Sequence, residues 1–427
     1  MPFTSGRVSF CRFHVTGDCA PAVDETFLDL LAEHKFRETE IGTPDEIEAG
    51  FVTTEHIFDT SFNYEKVAYG RYAIFSLRID THKVPSEVKK AYQKINEAAA
   101  AGDNPSGFAS KSDKRDARDL AGRQVNEDLA AGRFRKSRSV QLIWDLPGAT
   151  VYCANASNAV CEQVVRLFRA AFSVTLAPIS SGTLTGLLLS EQGRSRDYED
   201  ISPSPFTKPP AETHPVGDDD EGGLPQSSGT PICPWVTKSI DLKDFLGNEW
   251  LTWLWWIAET AEGMVQTEAG ELFLTITKAL DMDCAWELTG KQTLRSDKPT
   301  SLPEADDALK SGKWPRKCGL ILADGEHHWE LTLQGDQLNI SAAQLPDIED
   351  AQTEREVIEE RLALIGALSR SLNALFAAFL KQRTATGWTA KRETISAWIQ
   401  TRRRKQAIAQ PAQTQVTAPA EAEPVSA

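Results

Sequence analysis

Lys111, Lys114, Arg115 and Arg118 recur at i, i+3, i+4 and i+7, the spacing that sets four side chains on one face of an α-helix. Asp113, Asp116 and Asp119 fall on the opposite side of the same helix. Cations segregated in this way supply hydrogen-bond donors and displace counterions along a phosphate backbone without reading bases. The competing reading is a solvated helix whose acids and bases pair locally. Lys89, Lys90 and Lys94 precede the stripe within the same charged region, residues 83–138, which sets thirteen Lys and Arg against eight Asp and Glu. That region therefore carries +5 in a chain of −15, and the remainder carries −20. Net charge alone argues against a nucleic-acid partner, but its distribution does not.

No catalytic constellation accompanies the stripe. His327 and His328 are adjacent, so on a strand they point to opposite faces, and neither has a partner at metal-ligand spacing. Phosphate-cradling G-x-x-x-x-G-K-[ST] and nucleophile-elbow G-x-S-x-G patterns are absent from the sequence, so neither a cofactor nor a metal is expected. The acidic run "DIEDAQTEREVIEE" (347–360) is the material for the main enzymatic alternative, a metal-dependent nuclease. Its place at the start of a long helix, where carboxylates complement the helix dipole, explains it without a metal. The seven cysteines are scattered and never form C-x-x-C, which fits reduced thiols used as small apolar side chains and argues against a zinc site or disulfide framework.

The run "EWLTWLWWIAET" (249–260) places four tryptophans in seven positions. It is too short to span a bilayer and is apolar nearly all round, so it is expected in the core or between subunits. The N-terminus has no basic flank and apolar block of a secretory signal, and a cytoplasmic location is expected.

Elements able to position the stripe follow from periodicity. Strands are expected at "RVSFCRFHV" (7–15) and "RYAIFSLRI" (71–79) with a helix in "DETFLDLLAEHKF" between them, then a strand pair "SVQLIWDL" and "ATVYCANA" turning at Pro147-Gly148. A helix "NAVCEQVVRLFRAAF" and a strand "SVTLAPIS" come next. Further strands are expected near "CAWELTGKQTL" and in a meander from "KCGLILADG" to "SAAQL", with Asp324-Gly325 as the hairpin signal. A long helix from about Glu354 to Arg383 carries an apolar stripe from Ile358 to Phe379, and a last helical segment ends in "RRRK" (402–405). The expected class is α+β, mixed sheets with a long charged helical segment.

The expected organisation is an N-terminal α/β part (1–82), a basic helical arm (83–138), a central α/β part (139–196), a flexible acidic Pro/Gly-rich insertion (197–235), a second α/β part with the Trp-rich helix and meander (236–348), C-terminal helices (349–406) and a disordered tail (407–427). Eight of the 22 prolines fall between Asp197 and Pro234, together with "VGDDDEGGLP", a composition that buries too little apolar area to offset its ordering entropy.

In "GRYAIFSLR", "HKVPSEVKKAYQKI" and "KSDKRDARDLAGRQVNEDLAAGRFRKSRSVQLIWD" the chain resembles the recombination-associated protein RdgC family. The similarity resumes in "LTWLWW", "TGKQTL" and "EADDALKSGKWPRKCGLILADG", and it rests on the order and spacing of short motifs rather than on any one of them. The resemblance implies a non-enzymatic, nucleoid-associated protein with an elongated or horseshoe-shaped subunit closing into a ring-shaped homodimer. Such a ring binds double-stranded and possibly single-stranded DNA with little sequence preference, through a basic inner surface, and restrains a RecA-type recombinase. It further implies that Lys111 and Lys291 contact DNA and that Phe134 closes one subunit junction. A protein-interaction scaffold without DNA binding is the remaining alternative.

Overall fold

The computed structural model describes residues 2–38, 45–102, 107–209 and 229–402. The expected disordered tail, the basic residues 403–405 and the central part of the insertion, 210–228, lie outside the described residues.

The first half runs β1 (Val8–Thr16), α1 (Glu25–Glu33), β2 (Ile47–Val52), α2 (Tyr64–Val67), β3 (Ala68–Tyr69), β4 (Tyr72–His82), α3 (Ser86–Gly102), α4 (Lys111–Ala130), β5 (Arg135–Asp145), β6 (Thr150–Cys153), α5 (Asn158–Phe172), β7 (Thr175–Pro178), α6 (Ser181–Glu191) and α7 (Ser195–Asp200). The second half runs α8 (Phe245–Thr260), β8 (Met264–Thr267), β9 (Gly270–Cys284), β10 (Gln292–Arg295), α9 (Pro303–Lys310), β11 (Lys313–Ala323), β12 (His328–Gln334), β13 (Asn339–Gln344), α10 (Glu354–Arg383) and α11 (Trp388–Thr401). The fold is mixed α+β, built on a large antiparallel sheet. Its strand order is β10-β9-β11-β12-β13-β1-β6-β5-β4-β2, with β3, β7 and β8 pairing off this path.

β1 joins the two halves, pairing with β13 through Val8 and Phe10 and with β6 through Cys11 to His14. Its alternating side chains serve two cores: Phe10 faces the cluster containing α8 and α10, while Cys11, Phe13 and Val15 face the cluster containing α1 and α5. β4 divides in the same way, Tyr72 and Ile74 against Ala73, Phe75, Leu77 and Ile79. β4 is buried on both faces along nearly its whole length, and from Phe75 onward its apolar residues alternate with buried polar ones, Ser76, Arg78 and Asp80.

The Trp-rich helix is core. Trp250, Trp253 and Trp255 are fully buried, and Trp250 and Trp253 meet Phe376 and Phe379 of α10 at 5.3 and 5.8 Å between ring centroids. Gly247 lets α8 approach the β12–β13 turn, where a Cβ would lie 1.8 Å from the Gly335 carbonyl oxygen. Glu249 is fully buried with the tryptophans. Its carboxylate accepts from Arg383 Nε and from the Ser204 backbone N–H, both at 2.6 Å.

By length and composition α10 could cross a membrane, but its stripe from Leu362 to Phe379 is buried against α8 and the sheet. Arg12 of β1 ties it down, donating to Ser369 Oγ and Asn373 Oδ1 at 2.8 Å each. Burial lowers the Arg12 guanidinium pKa to about 10.

Several expectations need correcting. The packed structure reaches further into residues 197–235 than composition suggested: Ile201, Phe206, Cys233 and Trp235 are buried, and Phe206 packs on Trp314 and Trp388. "CAWELTG" is not a strand, because β9 ends at Cys284 and the chain loops before β10. Helical structure in the charged region stops at Ala130, so Arg135, Lys136 and Arg138 belong to a strand. Arg402, the first residue of "RRRK", follows α11 directly and is part of the packing. It donates to both Glu259 oxygens at 3.0 and 2.6 Å and lies over the rings of Trp255 and Trp398.

Candidate nucleic-acid interface

α3 and α4 form a two-helix arm inserted between the paired strands β4 and β5, whose register runs from Tyr72 opposite Asp145 to His82 opposite Arg135. α4 buries only Ala117, Ala121 and Val125, a narrow small-residue seam at i, i+4 and i+8, and α3 packs on α4. Asn96 of α3 crosses between the helices, donating to the Ala117 carbonyl at 3.3 Å and to Gln124 Oε1 at 3.1 Å. The arm is thus held together with most of its surface turned outward.

Lys111, Lys114, Arg115 and Arg118 are all exposed, and among the described residues none of them is ion-paired. Ser110 caps α4 by accepting from the Asp113 N–H at 3.2 Å, and Asp113 returns the bond to the Ser110 N–H at 2.8 Å. Lys111 is the first residue of α4 and so stands at the positive end of the helix dipole, where a cation is disfavoured. Helix stability therefore does not account for it. The first turn of a helix and a cluster of lysines attract the same ligand, an anionic oxygen.

The remaining expected contacts divide. Lys89 and Lys94 on α3 are exposed and without ion pairs among the described residues, whereas Lys90 is held by Glu87 at 2.9 Å. Phe134 is half-buried where the arm rejoins β5. Lys291 is not in the arm's patch. It ends the loop entering β10, its side chain 78% exposed and 3.6 Å from Asp283. From β4 to β10 is eight strand steps in the sheet order, or about 38 Å along the sheet at roughly 4.8 Å per step.

The ion network at the arm's root was not legible in the sequence. Arg78 is buried and donates to Asp80 at 3.0 and 2.7 Å and to Glu38 at 3.0 Å, with its guanidinium 4.0 Å from the Phe36 ring centroid. Arg135 bonds Glu38 at 2.8 Å from the next strand. Arg135, and after it Arg78, hold the Glu38 carboxyl below the usual range. Period two explains the sorting along β5. Arg135 and Ser137 lie opposite His82 and Asp80, on the network's face, while Lys136 and Arg138 lie on the other face, exposed and without ion pairs among the described residues. That strand alternation was the available signal that Lys136 and Arg138 extend the cationic set.

Among the described residues, no three His, Cys, Asp or Glu side chains converge to hold a metal ion. The acidic residues from 347 onward open α10, with Thr353 as N-cap accepting from the Glu356 N–H at 3.2 Å and Glu354 and Glu356 in the first turn. No family model matches the chain, and no curated protein matches it.

Proposed function

We propose that this protein binds nucleic acid, double-stranded DNA foremost, through the phosphate backbone and without sequence preference. The exposed face of α4 is the primary contact. The observation that carries this reading is the set of four exposed cations on one helix face with no ion pair among the described residues. A merely solvated helix spends such charges on local pairs, as Lys90 does with Glu87. Lys89, Lys94, Lys136 and Arg138 add donors around the same arm. The excess negative charge elsewhere in the chain directs a polyanion toward this arm.

A finer proposal follows from the resemblance to the RdgC family. Two copies close into a ring around the duplex with Phe134 at one junction, and the occupied duplex resists RecA-type strand exchange. Single-stranded DNA engages the same phosphate contacts. Binding of this kind requires placed cations only and no catalytic group.

The test is a salt titration of binding to labelled duplexes of unrelated sequence. Log K falls with log salt by about 0.9 per phosphate engaged, so replacing the four α4 cations by Ala reduces the slope by about 3 to 4 on every sequence. An unchanged slope removes the arm from the interface. Divalent-metal-dependent cleavage of the DNA, abolished by a carboxylate substitution, would make the protein a nuclease instead.

A further inference from the structure

Cys11 meets two cysteines distant from it in the sequence, Cys153 and Cys161, beside β1. Cys11 and Cys153 are cross-strand partners in β1 and β6, and Cys161 comes from the first turn of α5. The Cys11 and Cys161 sulfurs are 3.8 Å apart, and both approach the Asn155 carbonyl oxygen, at 3.2 and 3.8 Å. Cys153 is fully buried and Cys11 nearly so, while Cys161 is partly exposed. Cys11 and Cys161 both line an open cleft of about 700 Å³ whose wall also carries Arg166, Arg169 and Lys238.

We propose that Cys161 is a peroxide-reactive thiol and Cys11 its resolving partner, so that oxidation yields a Cys11–Cys161 disulfide. Access, activation and a second sulfur are all present. The cleft admits a small oxidant to Cys161. The Cys11 thiol lies within hydrogen-bond reach of its sulfur, at 3.8 Å, a contact that foremost lowers the Cys161 pKa against the opposing effects of burial and of Glu162. Placement in the first turn of a helix favours the thiolate in the same sense. Hydrogen bonding with Cys153 and Cys161 raises Cys11, which keeps its proton until it is needed.

The Cys161 thiolate attacks one oxygen of hydrogen peroxide and the O–O bond breaks. Cys161 becomes a sulfenic acid, and the departing hydroxide takes a proton to leave as water. The Cys11 sulfur then attacks the sulfenic sulfur. The S–S bond forms, the S–O bond breaks, and the hydroxide leaves as a second water with the Cys11 proton. Two thiols lose two electrons and one peroxide is reduced to two waters. Closure brings the two sulfurs from 3.8 Å to about 2.05 Å.

The test treats the native full-length chain with equimolar hydrogen peroxide and maps its peptides without reduction. The expected product is a Cys11–Cys161 cross-link with the other five thiols still alkylatable. Cys11→Ser stops the reaction at a dimedone-trappable sulfenic acid on Cys161, and Cys161→Ser gives neither adduct nor cross-link. A measurement needing no variant compares alkylation of Cys161 with that of Cys19, the other partly exposed cysteine, whose pKa burial and Asp18 raise. Cys161 should react at least about tenfold faster. Equal rates, or a cross-link between Cys11 and Cys153, overturn the proposal. DNA binding is not the readout, so failure here leaves the function proposed above untouched.

Discussion

Arg78 and Asp80, two residues apart on β4, hold each other through a pair of hydrogen bonds of 3.0 and 2.7 Å while both are buried at the base of the arm. Alternation puts both on one face of the strand, and Glu38 and Arg135 close the network from outside. Removing one member leaves a buried charge without its partner, at a cost of about 3–5 kcal/mol. Asp80→Asn is therefore expected to lower the urea unfolding midpoint strongly and to reduce hydrogen-exchange protection in β4 and β5 next to the arm. It should weaken DNA binding without changing the salt slope, because the cations remain and only their placement loosens. A normal unfolding midpoint would show that the network does not anchor the arm.

What the sequence revealed and what it hid divide by range. The α10 stripe, α5 and the hairpins at Pro147-Gly148 and Asp324-Gly325 were legible because each is decided by neighbours a few residues away. The stripe on α4 was legible for the same reason. Glu38 meeting Arg78, Arg402 meeting Glu259, and Cys11 meeting Cys161 are products of tertiary packing, which brings together residues 40 to 150 positions apart. α6 lacks one-sided patterning: Leu184, Leu187, Leu188 and Leu189 spread round the helix, so periodicity passes over it and only the Ser180 cap marks its start. Lys291, which the resemblance implies as a DNA contact, lies beside β10, far from β4 in the strand order, and motif order says nothing of such a separation across a sheet.

Acid should loosen this molecule through carboxylates whose folded pKa lies below the unfolded one. Glu38 is lowered by Arg135 and Arg78. At Asp59 burial opposes the shift, but hydrogen bonds from Lys66, Ser61 and Thr53 outweigh it. A depressed folded pKa contributes stability that is complete above the unfolded value and is lost as pH falls through the folded one. The urea midpoint is expected to hold above pH 4.5 and to decline below it. Glu38→Gln and Asp59→Asn should each flatten part of that decline. Profiles of the variants parallel to wild type would place the acid sensitivity elsewhere.

Phe134 is half-buried in the short turn between α4 and β5, and in the proposed ring its ring buries further against a second copy. Truncation to Ala then removes apolar contact from the junction. Phe134→Ala is expected to raise the dimer dissociation constant by at least about tenfold, or about 1.4 kcal/mol, in sedimentation equilibrium. The unfolding transition of the separated chains should shift much less. A dimer constant equal to wild type would remove Phe134 from the junction, and a monomer at all concentrations would remove the ring.

Lys291 offers the sharpest separation between a single-chain patch and an encircling assembly. It precedes β10, eight strand steps from β4 in the sheet order, whereas Lys111 belongs to the arm between β4 and β5. At 3.6 Å from a buried Asp283 that Arg316 also holds, its ammonium remains exposed and open to a further anion. If two copies surround the duplex, Lys291 and Lys111 both face it, and Lys291→Ala and Lys111→Ala each lower the salt slope by about 0.9, additively in the double variant. If the arm binds alone, Lys111→Ala has its full effect and Lys291→Ala has none. Measuring the four slopes on one duplex above and below the dimer dissociation constant tells the two apart: the Lys291 contribution should appear only where the dimer is populated.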